Sequence, residues 1–114
     1  MIVSTAPFVA GQRVVETKGQ VFGLVVRSRG LAGNLSASLR SLIGGEIHEY
    51  TQLLEDTRRQ ALDRLIQNAT VMGANGVISM RFDSSELGTS MSEIVAYGTA
   101  VVLAADSEAP QPLE

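Results

Sequence analysis

The chain has 114 residues, one domain's worth, and a domain of that size buries roughly two-thirds of its unfolded surface. It is 45% hydrophobic but only 4% aromatic and has no tryptophan, so Val, Leu, Ile and Ala must fill the core of a globular fold. A net charge of -3 and a pI near 5.1 exclude a surface built for nucleic acid or anionic lipid, and the lack of cysteine excludes disulfides, thiolate nucleophiles and sulfur-rich metal sites.

The opening MIVSTAPFVAG has no basic segment before its short apolar stretch, so it is not read as a secretory signal. Ile2 and Val3 form a short leading strand that ends in the loop around Pro7 and Gly11. Arg13 to Val26 reads as strand, with Gly19-Gln20 as either a bulge or a hairpin turn. The stretch RSRGLAG, 27–33, breaks the pattern. A short helix is expected from Asn34, a good N-cap, with Leu31, Leu35, Leu39 and Leu42 on one side. Gly44-Gly45 ends it and admits a long helix.

That long helix organises the chain. Ile47, Tyr50, Leu54, Ala61, Leu65, Ala69 and Met72 fall at steps of three, four or seven and share one face, which Leu53, Leu62 and Ile66 widen. Acids come early (Glu46, Glu49, Glu55, Asp56) and arginines later (Arg58, Arg59, Arg64), which complements the helix dipole and allows a Glu55–Arg59 pair on a solvated face. Gly73 stands where a left-handed C-cap belongs, and Asn75-Gly76 favours a turn with positive φ. Val77 to Phe82 is the next strand, with Ile78, Met80 and Phe82 on one side and Ser79 and Arg81 on the other. Asp83 to Ser92 reads as a polar, mobile loop, Glu93 to Leu103 as the last strand, and 104–114 as a disordered tail.

The last strand is apolar on both sides: Ile94, Ala96, Ala100 and Val102 on one, Val95, Tyr97, Val101 and Leu103 on the other. A single helical layer covers one face of a sheet, so the second face needs another cover, and association of subunits is the economical one. The run from Ile94 to Ala105 is too short to span a bilayer, so no membrane partner is expected and the cytoplasm is the default location.

His48 is the only histidine, which removes any mechanism needing two imidazoles in one chain. His48 and Glu49, with Glu46 nearby, are the candidate metal ligands at the start of the long helix. Adjacent helical positions point apart, so a tight site there needs symmetry-related copies. GQVFG lacks the Lys-Ser/Thr ending of a phosphate loop, and no Gly-x-Ser-x-Gly elbow occurs. Asp83, Glu86 and Glu93 flank the polar loop as possible paired carboxylates. No catalytic set is named, and no cofactor is required.

Gly44-Gly45, Tyr50, Leu54, Arg58, Ala61, Leu65 and Ala69, then Gly73-Ala74-Asn75-Gly76-Val77, together resemble the YbjQ-like family of small bacterial proteins. Gly19-x-Val21-x-Gly23, Gly98-Thr99-Ala100-Val101 and the opening Ser4-Thr5 agree, so the resemblance covers residues 1–103 as one domain. It implies an α+β subunit similar to the dodecin-like fold, an antiparallel sheet with one long and one short helix on one face. It also implies a ring-forming oligomer, a homopentamer, and it carries a heavy-metal-binding label without catalytic residues. The expected function is a non-enzymatic binding module for a metal ion or small ligand; the alternative is a structural or protein-interaction scaffold.

Overall fold

Alanine or leucine recurs every fourth residue at Ala61, Leu65 and Ala69, and that spacing places the three on one helical face. In the computed structural model, which describes residues 1–28, 48–88 and 91–106, they form the fully buried stripe of helix α1, His48–Val71. The strands are β1 (Ile2–Val3) and β2 (Gln12–Ser28) before the helix, and β3 (Gly76–Leu87) and β4 (Met91–Ala105) after it. They make one α+β domain with a four-stranded sheet in the order β1-β3-β4-β2. The stripe meets Val21 and Val25 of β2, Val77 and Met80 of β3, and Ala96 and Ala100 of β4. The predicted short helix and Gly44-Gly45 lie outside the described residues.

The sheet is mixed where an antiparallel one was expected. β2 and β3 run antiparallel to β4, but β1 lies parallel to β3. The connection from β1 to β3 passes through β2 and α1, which is long enough for the crossover that parallel pairing requires.

Two irregularities set the phase of the side chains. Gly19-Gln20 is a bulge and not a turn: β2 runs straight through it, with a register shift between Thr17 and Gly19 and Gly19 at φ 120°. In β3 the register shifts between Ile78 and Arg81, and Ser79 takes a left-handed φ of 54°. Its amide donates to the Ala6 carbonyl (2.9 Å) and the next amide, of Met80, donates to that of Ser4 (3.0 Å). The bulge inverts the alternation read from the sequence. Val77, not Ile78, shares the core face with Met80 and Phe82, and Val77 is fully buried.

Gly73 closes the helix as expected. Its φ is 85°, its amide donates to the Thr70 carbonyl (3.0 Å), and the Ala74 amide reaches back to Ala69 (3.1 Å). The last turn of α1 holds no basic residue, but Lys18, on the neighbouring bulge, brings its Nζ within 3.7 Å of where a Gly73 Cβ would stand. A cation there complements the negative end of the helix dipole. Gly73→Val is expected to cost at least ~1 kcal/mol through backbone strain alone. A thermal melt checks it, and an unchanged midpoint would refute the cap.

Asn75-Gly76 is not a turn with positive φ. Asn75 works as a clamp on β4, its Oδ1 accepting from the Leu103 amide (2.6 Å) and its Nδ2 donating to the Leu103 carbonyl (2.9 Å). Gly76 opens β3 beneath the Leu103 side chain, and a methyl group there would collide with it. The expected loop from Asp83 to Ser92 is instead a hairpin. β3 runs on to Leu87 and β4 starts at Met91, with the pairs Asp83↔Val95, Ser85↔Glu93 and Leu87↔Met91. Polar side chains misled the reading because both strands here have a solvent-facing side. β4 also extends through Ala104 and Ala105, two residues into the expected tail, and the Asp106 amide donates to the Gly11 carbonyl (2.9 Å). Residues 107–114 lie outside the described residues. Among the described residues no helix is long and apolar enough to cross a membrane.

Candidate functional site

The site begins where the helix stops touching the sheet. Thr57 is the first buried residue of α1, its hydroxyl donating to the Leu53 carbonyl (2.8 Å). One turn earlier Leu54, expected in the buried stripe, is 43% exposed. The helix backbone rests directly on Gly23 of β2 at Ala61 and Leu65. Towards its N-terminus it overhangs the extended β3–β4 hairpin, and a groove of about 830 Å³ opens between them.

Register decides which hairpin side chains face that groove. The pairs Phe82↔Ala96, Ser84↔Ile94 and Glu86↔Ser92 continue the helix-side face outwards from the core. With Thr51, Leu54, Glu55 and Arg58 on the helix they give an apolar centre (Leu54, Phe82, Ile94), three hydroxyls and a rim of charge. The Arg58 guanidinium lies 5.5 Å from the centre of the Phe82 ring, a cation–π contact that holds the helix wall to the floor. The same face of β2 ends in Arg27, whose Cα partner is Ser92. Arg27 Nε is buried and has no hydrogen-bond partner.

Asp83, Ser85 and Glu93 border the groove, but their register puts them on the opposite face of the sheet. Asp83, Glu86 and Glu93 are therefore not a paired-carboxylate set: Glu86 is on one side and the other two are on the reverse. The Glu55–Arg59 pair does not form either; Arg59 Nη1 lies 4.0 Å from Asp56 Oδ1, one residue nearer, with both side chains exposed. Such a pair contributes well under 1 kcal/mol.

Of the metal candidates, Glu46 lies outside the described residues. His48 and Glu49 are the first two residues of α1, and the geometry of their side chains also lies outside what is described. Among the described residues no three His, Cys, Asp or Glu side chains converge on one point. The donor chemistry does not fit a heavy metal: soft ions want thiolates, and the chain has no cysteine and one histidine.

The reverse face of the sheet is apolar and open, as the two-sided last strand suggested. Phe22 pairs with Tyr97 and Leu24 with Val95, followed by Val26 beside Glu93. Phe22 is 53% exposed, Leu24 42%, Val26 47% and Tyr97 40%. Further along the same face, Val101 and Leu103 are already buried within the single chain. The outer edge of β2 is partly closed, because Arg64 Nη1 donates to the Leu24 carbonyl (2.5 Å) and Asn68 Nδ2 to that of Phe22 (2.7 Å).

Sequence reasoning missed the groove because it placed Leu54 and Phe82 in the core and Arg27 in a pattern-breaking stretch. The one available signal was the cluster of four acids in the first half of the helix, a segment too polar to lie flat on a sheet.

A family model described as "Putative heavy-metal-binding" matches residues 1–104. The chain belongs to the YbjQ-like family. A UPF0145 protein of Bradyrhizobium sp. (strain ORS 278) is 66% identical over 103 residues, covering 90% of this chain and 93% of the relative. UPF0145 proteins of Methanoregula boonei and Sulfurisphaera tokodaii are 54% and 57% identical, covering 94% and 90% of their own lengths. The YbjQ-like family thus reaches into archaea as well as bacteria, wider than the resemblance implied. A crystal structure of a protein of unknown function from the DUF74 family of Pediococcus pentosaceus has the same fold. It superposes at a TM-score of 0.59 with 15% identity, covering 91% of this chain and 98% of that one.

Proposed function

We propose that this chain is a non-enzymatic, cytoplasmic binding module that works as a closed homo-oligomer and holds a small organic guest in the groove beneath the first half of α1. The observation that carries the reading is the groove itself, with an apolar centre ringed by hydroxyls and balanced charge. Sites of this volume with a few polar groups around an apolar floor suit small molecules. The hydroxyls of Thr51, Ser84 and Ser92 have no imidazole or amine base among the described lining residues, which supports binding over nucleophilic chemistry.

Assembly is supported by the open apolar face around Phe22, Leu24, Val26 and Tyr97. A ring of dodecin-like subunits, with the five copies that the family resemblance implies, would cover it. Native mass spectrometry of protein purified without a metal-affinity tag tests subunit number and guest together. One closed oligomer retaining an organic mass is expected, and an empty monomer would overturn the reading. A scaffold role is the second reading, and the long hairpin projecting beyond the helix favours it as a contact surface.

The heavy-metal label has its own test. With one histidine and no thiolate per chain, Zn²⁺, Ni²⁺ and Cu²⁺ are expected to bind no tighter than roughly millimolar, a modest ~4 kcal/mol. Isothermal titration of the wild type beside His48→Ala decides it. Micromolar binding that disappears in the variant would show that symmetry gathers Glu46, His48 and Glu49 into a metal site after all.

A further inference from the structure

Arg27 is the one described residue with a buried side-chain nitrogen and no partner for it. A buried donor left unsatisfied is costly, and structures seldom keep one without a use for it. Its place in the sheet is specific. Arg27 pairs with Ser92, Ser92 pairs with Glu86, and both of those line the outer end of the groove. The next row inwards is Ser84 and Ile94, and beyond it stands Phe82. From the hairpin tip towards the core, the floor therefore runs from a guanidinium beside a hydroxyl to a purely apolar patch under Leu54.

We infer that the guest is a singly charged organic anion, an apolar chain with a carboxylate head, and that Arg27 is the head-group partner. This rests on the groove reading above. A guanidinium presents a planar fork of donors that matches a carboxylate, and Nε is one of them. The Ser92 hydroxyl is its nearest neighbour in the register and can donate to the same head. The carboxylates of Glu55 and Glu86 on the rim repel a second negative charge, so a head with one charge fits where a phosphate dianion does not. The chain of the guest lies over Ile94, Leu54 and the Phe82 ring. Arg58 is not available as the head-group partner, because its guanidinium is stacked on that ring.

Three probes with one six-carbon chain separate the head from the groove: hexanoate, hexylammonium and 1-hexanol, titrated into the full-length protein by NMR. Hexanoate is expected to bind at least tenfold more tightly than hexanol, with shifts at Leu54, Phe82 and Ile94. Arg27→Met keeps the apolar stem and, since Nε donates to nothing, is expected to fold like the wild type. It should bring hexanoate down to the affinity of hexanol and leave hexanol unchanged, while Arg27→Lys should retain part of the preference. If hexylammonium binds as well as hexanoate, or Arg27→Met leaves hexanoate untouched, the head-group assignment is wrong although the groove stands. If none of the three shifts the groove residues, the groove reading itself fails, and this inference with it.

Discussion

Gly23→Val is expected to unfold the protein or to lower its urea midpoint further than any other single change to the sheet. Any Cβ at Gly23 would overlap the Ala61 carbonyl oxygen and the Leu65 amide nitrogen and come within 3.0 Å of Leu65 Cα. These are backbone atoms in the middle of a helix, so no rotamer change relieves the overlap. The helix must move off β2, and with it goes the contact between the buried stripe of α1 and Val21 and Val25. Overpacking a core costs about 1–3 kcal/mol when side chains can yield. Here they cannot, and about 3 kcal/mol or more is expected, against a total of roughly 5–15 kcal/mol for a domain. Gly23→Ala should show most of the loss, since the first carbon already collides. Chemical denaturation followed by circular dichroism measures both variants, and a Gly23→Val midpoint equal to that of the wild type would mean that the helix does not rest on this strand.

Leu24→Asp and Phe22→Asp, next to that glycine in sequence, are expected to do the opposite: leave the chain folded and abolish its assembly. Both side chains point away from the helix and are about half exposed in the single chain, so a carboxylate at either is harmless in a monomer. Between subunits it would be an unpaired charge in an apolar contact, and the desolvation of such a charge costs several kcal/mol. Val101 is the wrong place for this test, because it is fully buried within one chain and a charge there would unfold the monomer. Light scattering coupled to chromatography is the measurement, with circular dichroism as the check on folding. The wild type is expected at a multiple of the chain mass and both variants at the chain mass. A wild type that runs as a monomer, or variants that run with the wild type, would remove the apolar face from any account of assembly.

The parts of the fold legible in the sequence were those written in local periodicity. Ala61, Leu65 and Ala69 announce a helix face through their spacing, Gly73 announces its end, and Ile2–Val3 and the long β2 follow from runs of β-branched residues. What could not be read depends on contacts distant in sequence. Ser79 looks like an ordinary outward-facing strand residue; only the approach of Ser4 and Ala6 to its neighbourhood makes the bulge worthwhile. Asn75-Gly76 carries every local mark of a turn, but the partner that gives Asn75 its role is Leu103, 28 residues away. The hairpin from Asp83 to Ser92 lacks an apolar alternation because little covers it. Polar sequence there reports exposure and not the absence of a strand. The groove was invisible for a related reason: Leu54 satisfies the helical pattern, and nothing in the pattern says that the sheet beneath it has run out.

Arg64 and Asn68 lead to one more consequence. An outermost strand as long as β2 is a template on which a further strand, from any chain, can be laid down. By taking up the carbonyls of Phe22 and Leu24, the two helix side chains leave an incoming strand without acceptors at the middle of that template. Growth sideways, which has no natural end and leads to fibres, is thereby discouraged. Contact through the broad side of the sheet remains open, and there a second molecule uses up the surface it binds. The same helix that packs the core thus also biases how copies of this chain can add to one another, towards particles of finite number.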